Sequence, residues 1–248
     1  MPPRVYRPAY ADLVAAFLAQ ASVLVDELAV ADPGAATRIP GWTNGSMVTH
    51  LVRALGVLPN SPAVGGRPVI DVDGWARAIP NAGKEIDEHA RTAEATVEQL
   101  RARVEECRSV VAQLGPDDVL ETKRGPMRAD DTIVTRCIEV TLHALDLVDP
   151  PTPDPGCERI VARVLLDVLA RRHPGRSVEV RVPPHGAVQC MEGPTHTRGT
   201  PPNTVECDGV TWLLLAGGRL SWAEAVATGR VRSSGIRADL APVLPLLS

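Results

Sequence analysis

A chain of 248 residues with 44% hydrophobic and 23% charged residues has an ordinary globular composition and room for two cores. Its formal net charge of −4 and its seven aromatic residues argue against nucleic acid as a partner, because neither a basic footprint nor a base-stacking platform is available. The five cysteines (107, 137, 157, 190 and 207) contain no C-x-x-C pair, which argues against a zinc ribbon or disulfide framework and predicts a cytoplasmic protein with reduced thiols.

In chain order, the opening MPPRVYRPAYADLVAAF lacks the apolar run and cleavage site of a secretory signal. Beyond it, the longest apolar run, VTWLLLA (210–216), is too short to span a bilayer, so no membrane is expected as a partner. Helical periodicity runs over 11–32 and stops at Pro33-Gly34. Thr43 is positioned to cap a second helix over 44–58, which ends before Pro59 and a loop rich in Pro and Gly. A third helix, the longest and most polar, is predicted over 81–114, ending at Gly115-Pro116. A fourth, almost entirely apolar, is predicted over 131–148. Four such helices suggest a four-helix bundle over 1–150. The proline-rich stretch 149–156 reads as a stiff linker.

The remainder changes character. A helix over about 157–172 leads to SVEVRV (177–182), whose alternation suits a half-buried strand. AVQCME (187–192) and TVECDG (204–209) are further strand candidates. Two short helices follow, VTWLLLAGG and SWAEAVATG, then RVRSSG and a last predicted helix, ADLAPVLPLL. The pattern predicts a small α+β domain over 155–248 and a fold that is mainly α.

The fourth helix contains RCIEVTLHALDLVDP (136–150), in which Glu139, His143 and Asp146 form a narrow polar stripe at spacings of four and three. A buried charge must be paired or bound to metal, and Arg136 is the only cation near enough on that helix. On the second helix His50 shares the apolar side of Met47, Ala54 and Val57. His50, Glu139 and His143 would make a two-histidine, one-carboxylate set that suits zinc with open positions, and equally a non-haem iron(II) triad. The competing reading is a hydrogen-bonded core histidine and a glutamate paired with Arg136 or water. A second Glu-x-x-x-His, Glu85 and His89, lies on the polar third helix and reads as a solvated pair. Cys137 faces away from Glu139 and reads as core.

PGWTNGSMVTHL (40–51), followed far downstream by EVTLHALDL (139–147), resembles the mycothiol-dependent maleylpyruvate isomerase family, whose N-terminal domain is a DinB-like four-helix bundle. GRLSWAEAVATGRVRSSGIRADLAPVLPLL (218–247) is similar to the small sterol-carrier-like domain of that family. The resemblance implies that His50, Glu139 and His143 bind a divalent metal, normally zinc, while Asp146 holds the ligands in place. It implies mycothiol, a low-molecular-weight thiol, as cosubstrate, and a small electrophilic second substrate. The sequence departs from the family pattern at Asn44-Gly45-Ser46 and at Ala144-Leu145, positions that bear on the pocket wall.

A thiolate that adds to a conjugated double bond and leaves after rotation isomerises it; one that displaces a leaving group and stays is transferred. A dicarboxylate substrate would also need a cationic clamp, for which Arg230 and Arg232 are the candidates, in a cleft expected between the two domains. The alternative function is a non-enzymatic carrier of an apolar small molecule, motivated by the sterol-carrier-like half. A third is a bundle that has kept the fold and lost the reaction.

Overall fold

The computed structural model describes residues 6–194 and 203–247, which leaves residues 1–5 of the N-terminal reading outside it. The chain divides into two compact units, one over Pro8–Cys157 and the other over Glu158–Ser248, the latter joined by Tyr6 and Arg7. In the second unit Tyr6 donates its backbone N–H to Asp167, and its ring lies 4.5 Å beneath the Arg163 guanidinium.

The first unit is built from α1 (Tyr10–Val30), α2 (Asn44–Leu55), a single turn α3 (Val57–Asn60), β1 (Ala63–Val64), α4 (Val72–Thr92), α5 (Val97–Val111), the hairpin β2 (Val119–Thr122) and β3 (Gly125–Arg128), and α6 (Ala129–Leu145). Helices α1, α5, α2 and α6 pack in a ring, each touching the next, and α4 lies over α2 and α6. Fifteen of the seventeen residues of α6 are buried, because α4, β2 and β3 cover the side of this helix that the ring leaves open. Helix α1 is long and apolar enough to cross a membrane, with a mean hydropathy of 1.8, a test that a mostly buried core helix can also pass. Its Leu13, Phe17, Ala21, Leu24 and Leu28 are buried, and its main partner is α6.

The predicted third helix is two helices. Thr96 caps α5 with a reciprocal capping box: its hydroxyl accepts from the Gln99 backbone N–H, and the Gln99 side-chain oxygen accepts from the Thr96 N–H. The break at 93–96 also has a partner on α2. The Thr49 hydroxyl accepts from the Ala95 N–H at 3.2 Å and lies 3.3 Å from the Ala93 carbonyl, so a side chain of α2 partners a backbone N–H freed by the break. Only α5 belongs to the ring. Helix α4 also starts nine residues before the predicted position, running straight through Pro80, because Asp71 caps it and Val72, Trp75 and Ala76 bury its first turns.

Strands β1, β2 and β3 form a small antiparallel sheet that periodicity did not indicate, the strands being only two to four residues long. Helix α6 ends at Leu145 rather than 148, with Asp146 as its C-cap. The Asp146 carbonyl accepts from the Arg38 N–H at 2.7 Å, which ties the loop after α1 to the end of α6.

The second unit continues from α7 (Pro155–Arg172) through β4 (Val178–Val182), β5 (Gly186–Cys190), β6 (Thr204–Glu206), α8 (Gly209–Ala216), α9 (Trp222–Ala227) and β7 (Arg232–Ser234). Its sheet has the order β5-β4-β6-β7, with β4 and β6 parallel and the other pairs antiparallel. Strand β4 alternates buried and half-buried residues as its sequence predicts. Trp212 of α8 is fully buried and donates to the Ala162 carbonyl on α7 at 3.1 Å. The last predicted helix is only a 3-10 turn over Ala241–Val243, because Pro242 and Pro245 remove the N–H groups a longer helix would need. All five cysteines are free and buried, and burial pushes the Cys107 and Cys207 thiols up to about 12.

Candidate metal centre

Helix α2 begins at Thr43, whose hydroxyl accepts from the Ser46 N–H at 3.2 Å. That start sets the phase of the helix, and with it His50 turns inward beside the buried Met47, Leu51 and Ala54. Helix α6 packs against α2 and presents Glu139 and His143 one turn apart. The Glu139 Oε2 atom lies 3.2 Å from His50 Nε2 and 3.3 Å from His143 Nε2. One donor atom from each residue falls within 4.8 Å of the other two. The two histidine–carboxylate distances match the edge of a tetrahedron around zinc, roughly 3.4 Å for bonds of about 2.1 Å; the set as a whole is slightly wider.

The surroundings orient these donors. His143 Nδ1 is 3.0 Å from the buried Asp146 carboxylate, so it carries a proton and Nε2 is the atom left for coordination. The Trp42 ring stacks on His143, with centroids 6.1 Å apart, and tilts against His50 at 5.2 Å. Trp42 is held in turn by the Asp87 carboxylate, which accepts from its indole N–H at 2.7 Å and from Arg91 at 2.9 Å. Gly41 takes a positive φ of 77° in the turn before it, and a Cβ there would strike the Arg91 guanidinium. Arg136 is 3% exposed; it donates to the Ala54 carbonyl, lies over Trp75 with its charge 5.9 Å from the ring centroid, and approaches Glu139 at 3.7 Å.

Electrostatics follow from this geometry. Burial opposes ionisation of Glu139, but hydrogen bonds from His143 and His50 and the charge of Arg136 hold its carboxyl well below the usual range. Burial likewise opposes charge on His143, yet Asp146 and Glu139 outweigh it and raise the ring above its ordinary value. Burial dominates at His50 and lowers it. The result is an ionised carboxylate between one imidazole that resists a proton and one that holds it. A divalent cation displacing the His143 Nε2 proton would satisfy all three. The donor set therefore fits a metal of the zinc type.

His50 and Glu139 line a pocket of about 280 Å³ with Trp75, Arg124, Arg136 and Met127 on its walls. A larger hollow of about 450 Å³ shares Arg53, Val57 and Lys123 with it but contains none of the three donors. The structure thus brings together His50, Glu139, His143 and Asp146. Arg230 and Arg232 belong to the other unit: Arg230 Nε donates to the Thr211 hydroxyl at 3.2 Å, and Arg232 is exposed on β7. Sequence reasoning missed the Trp42 ring as a wall on the two imidazoles, although Trp42 lies in one of the segments that carry the family resemblance. It also missed the pocket lining from α4 and the β2–β3 hairpin, whose only early sign is the turn sequence Thr122-Lys123-Arg124-Gly125.

Two family models match the chain. One, the mycothiol maleylpyruvate isomerase N-terminal domain, covers residues 14–148, and the other, a bacterial SCP ortholog, covers residues 157–246. No curated protein matches the chain by sequence. Among solved structures, a mycothiol-dependent maleylpyruvate isomerase is similar at 17% identity and a TM-score of 0.57, covering 92% of this chain and 93% of that one. A histidine-to-alanine mutant of such an isomerase aligns at 16% identity and 0.56, with the same coverage. At these identities the structural likeness is one of fold.

Proposed function

Because the chain belongs to the mycothiol maleylpyruvate isomerase N-terminal domain family, we propose that it is a metal- and mycothiol-dependent enzyme in which His50, Glu139 and His143 hold a divalent ion, zinc in the first instance. The observation that carries this reading is the convergence of two buried imidazoles and one carboxylate, of which His50 and Glu139 open onto a pocket. When bound there, such an ion keeps a thiol deprotonated near neutral pH. The chain's own residues do the rest. Asp146 holds the Nδ1 proton of His143 and so fixes which nitrogen faces the ion. Arg136 neutralises part of the Glu139 charge from the buried side. Trp42 and Trp75 wall the donors and the pocket with apolar surface, which limits water at the reacting atoms.

A pocket of this size, at the lower end of the roughly 300–1,000 Å³ common for ligand sites, suits a small electrophile. Cis–trans isomerisation and S-transfer both use a thiolate at this position; isomerisation is the reading favoured by the family. Arg230 and Arg232 remain candidates for recognising a carboxylate, in a protein that works in the cytoplasm. Metal analysis of the purified chain tests the proposal. About one zinc per chain is expected in the wild type and none in His50→Ala, Glu139→Ala or His143→Ala. Zinc retained alike in all three variants overturns the ligand assignment. Tight lipid co-purification with no metal would favour the carrier reading, which the match of the second unit to a bacterial SCP ortholog motivates.

A further inference from the structure

The pocket lined by His50 and Glu139 is strongly unbalanced in charge. Arg53, Lys123, Arg124 and Arg136 line it against only two carboxylates, Glu85 and Glu139. Both carboxylates are engaged: Glu85 accepts from Arg53, and Glu139 faces the two histidines and Arg136. Arg136 is also committed, to the Ala54 carbonyl and the Trp75 ring. That leaves Lys123 and Arg124, which make no ion pair with any described residue. They are neighbours at the tip of the β2–β3 hairpin, whose last pair is Thr122 with Gly125.

The hairpin is built to hold that tip. The Thr122 hydroxyl donates to the Gly125 carbonyl at 2.7 Å and accepts from the Arg124 N–H at 3.2 Å. Gly125 takes the positive φ of 115° that closes the turn, leaving ordinary backbone angles to the two cations. Arg124 is half-buried and lines the same pocket as the buried Arg136. Two neighbouring cations without ion-pair partners on one pocket wall repel one another unless an anion lies between them.

From this geometry we infer that Lys123 and Arg124, at the tip of the β2–β3 hairpin, form the clamp that binds a carboxylate of the substrate within the first unit itself. Arg124 supplies the planar fork that matches a carboxylate, and Lys123, on the more exposed side, supplies a point charge. A divalent ion on the three donors would add to the positive field and strengthen the same preference. The inference rests on the proposed function for the identity of the reaction, but anion binding by the hairpin is measurable without turnover.

Succinate is a suitable probe, since it carries two carboxylates and no double bond for a thiolate to attack. Calorimetric titration of the full chain, zinc-loaded and after chelation, is expected to show succinate binding in both states and none by the neutral diamide. Arg124→Gln should weaken binding at least about tenfold and Lys123→Gln a few-fold. Arg124→Lys should recover part of the loss, which a purely structural role would not predict. Unchanged binding in Arg124→Gln, or binding abolished only by Arg230→Gln or Arg232→Gln, overturns the inference. A protein that binds succinate through Arg124 yet holds no metal and turns over no thiol substrate would overturn the proposed function and leave the clamp standing.

Discussion

Glu85 with His89 on α4 and Glu139 with His143 on α6 have the same spacing and opposite fates. The Glu85 side chain is 72% exposed and pairs with Arg53, and His89 shares no donor cluster with it. The Glu139 side chain is 18% exposed and meets two imidazoles, one of them from another helix. Spacing of four puts two side chains on one face of any helix. What converts that face into a site is burial, which removes water as a competing partner and leaves the carboxylate dependent on fixed neighbours. A further helix packed at the right phase then supplies the third donor.

The sharpest way to break this comparison is substitution of each pair in parallel. Glu139→Ala is expected to reduce zinc affinity by well over the roughly 10–100-fold that loss of an outer partner costs, whereas Glu85→Ala and His89→Ala should leave zinc content at the wild-type level by elemental analysis. Equal losses from both pairs would mean that burial is not the deciding variable.

Arg136 tests the cost of a buried carboxylate without its compensating charge. Arg136→Met should destabilise the metal-free protein by about 3 kcal/mol in chemical denaturation, and by clearly less with zinc bound, because the ion replaces the lost charge. Asp146→Ala, which frees the His143 Nδ1 proton, should weaken zinc binding about 10–100-fold with little change in fold.

The pH dependence has a definite sign. His143 is raised, so in the metal-free protein its charged form adds stability below about pH 6.5, and that contribution fades as pH rises through the folded value. Zinc needs the neutral ring, so its affinity should climb over the same window and level off above it. Calorimetry in buffers of different ionisation enthalpy should register the released proton; Asp146→Ala should move the window down. The smallest effect belongs to the break between α4 and α5. Thr96→Ala should cost about 1 kcal/mol of stability and leave zinc content unchanged, since that cap serves the ring of helices and touches no donor.

Much of this protein is determined by local sequence. The near-continuous apolar pattern of α6 marks it as the buried helix, Thr43 marks the start of α2, and the alternation of SVEVRV marks β4; each is a matter of neighbouring residues on one element. The His50, Glu139 and His143 set could be nominated for the same reason, since two members share a helix face and the third stands on an apolar face that must go inside. Tertiary structure alone decided what local pattern left open. Pro80 was accommodated inside α4 because Trp75 and Ala76 are buried, and the long polar helix was divided where Thr49, distant in sequence, accepts from the freed Ala95 N–H. The cations above the donors come from α2, a short hairpin and α6, and no periodicity relates them. Charge acts through space and burial sets its strength, so which residues share a pocket follows from packing between elements that the sequence holds far apart.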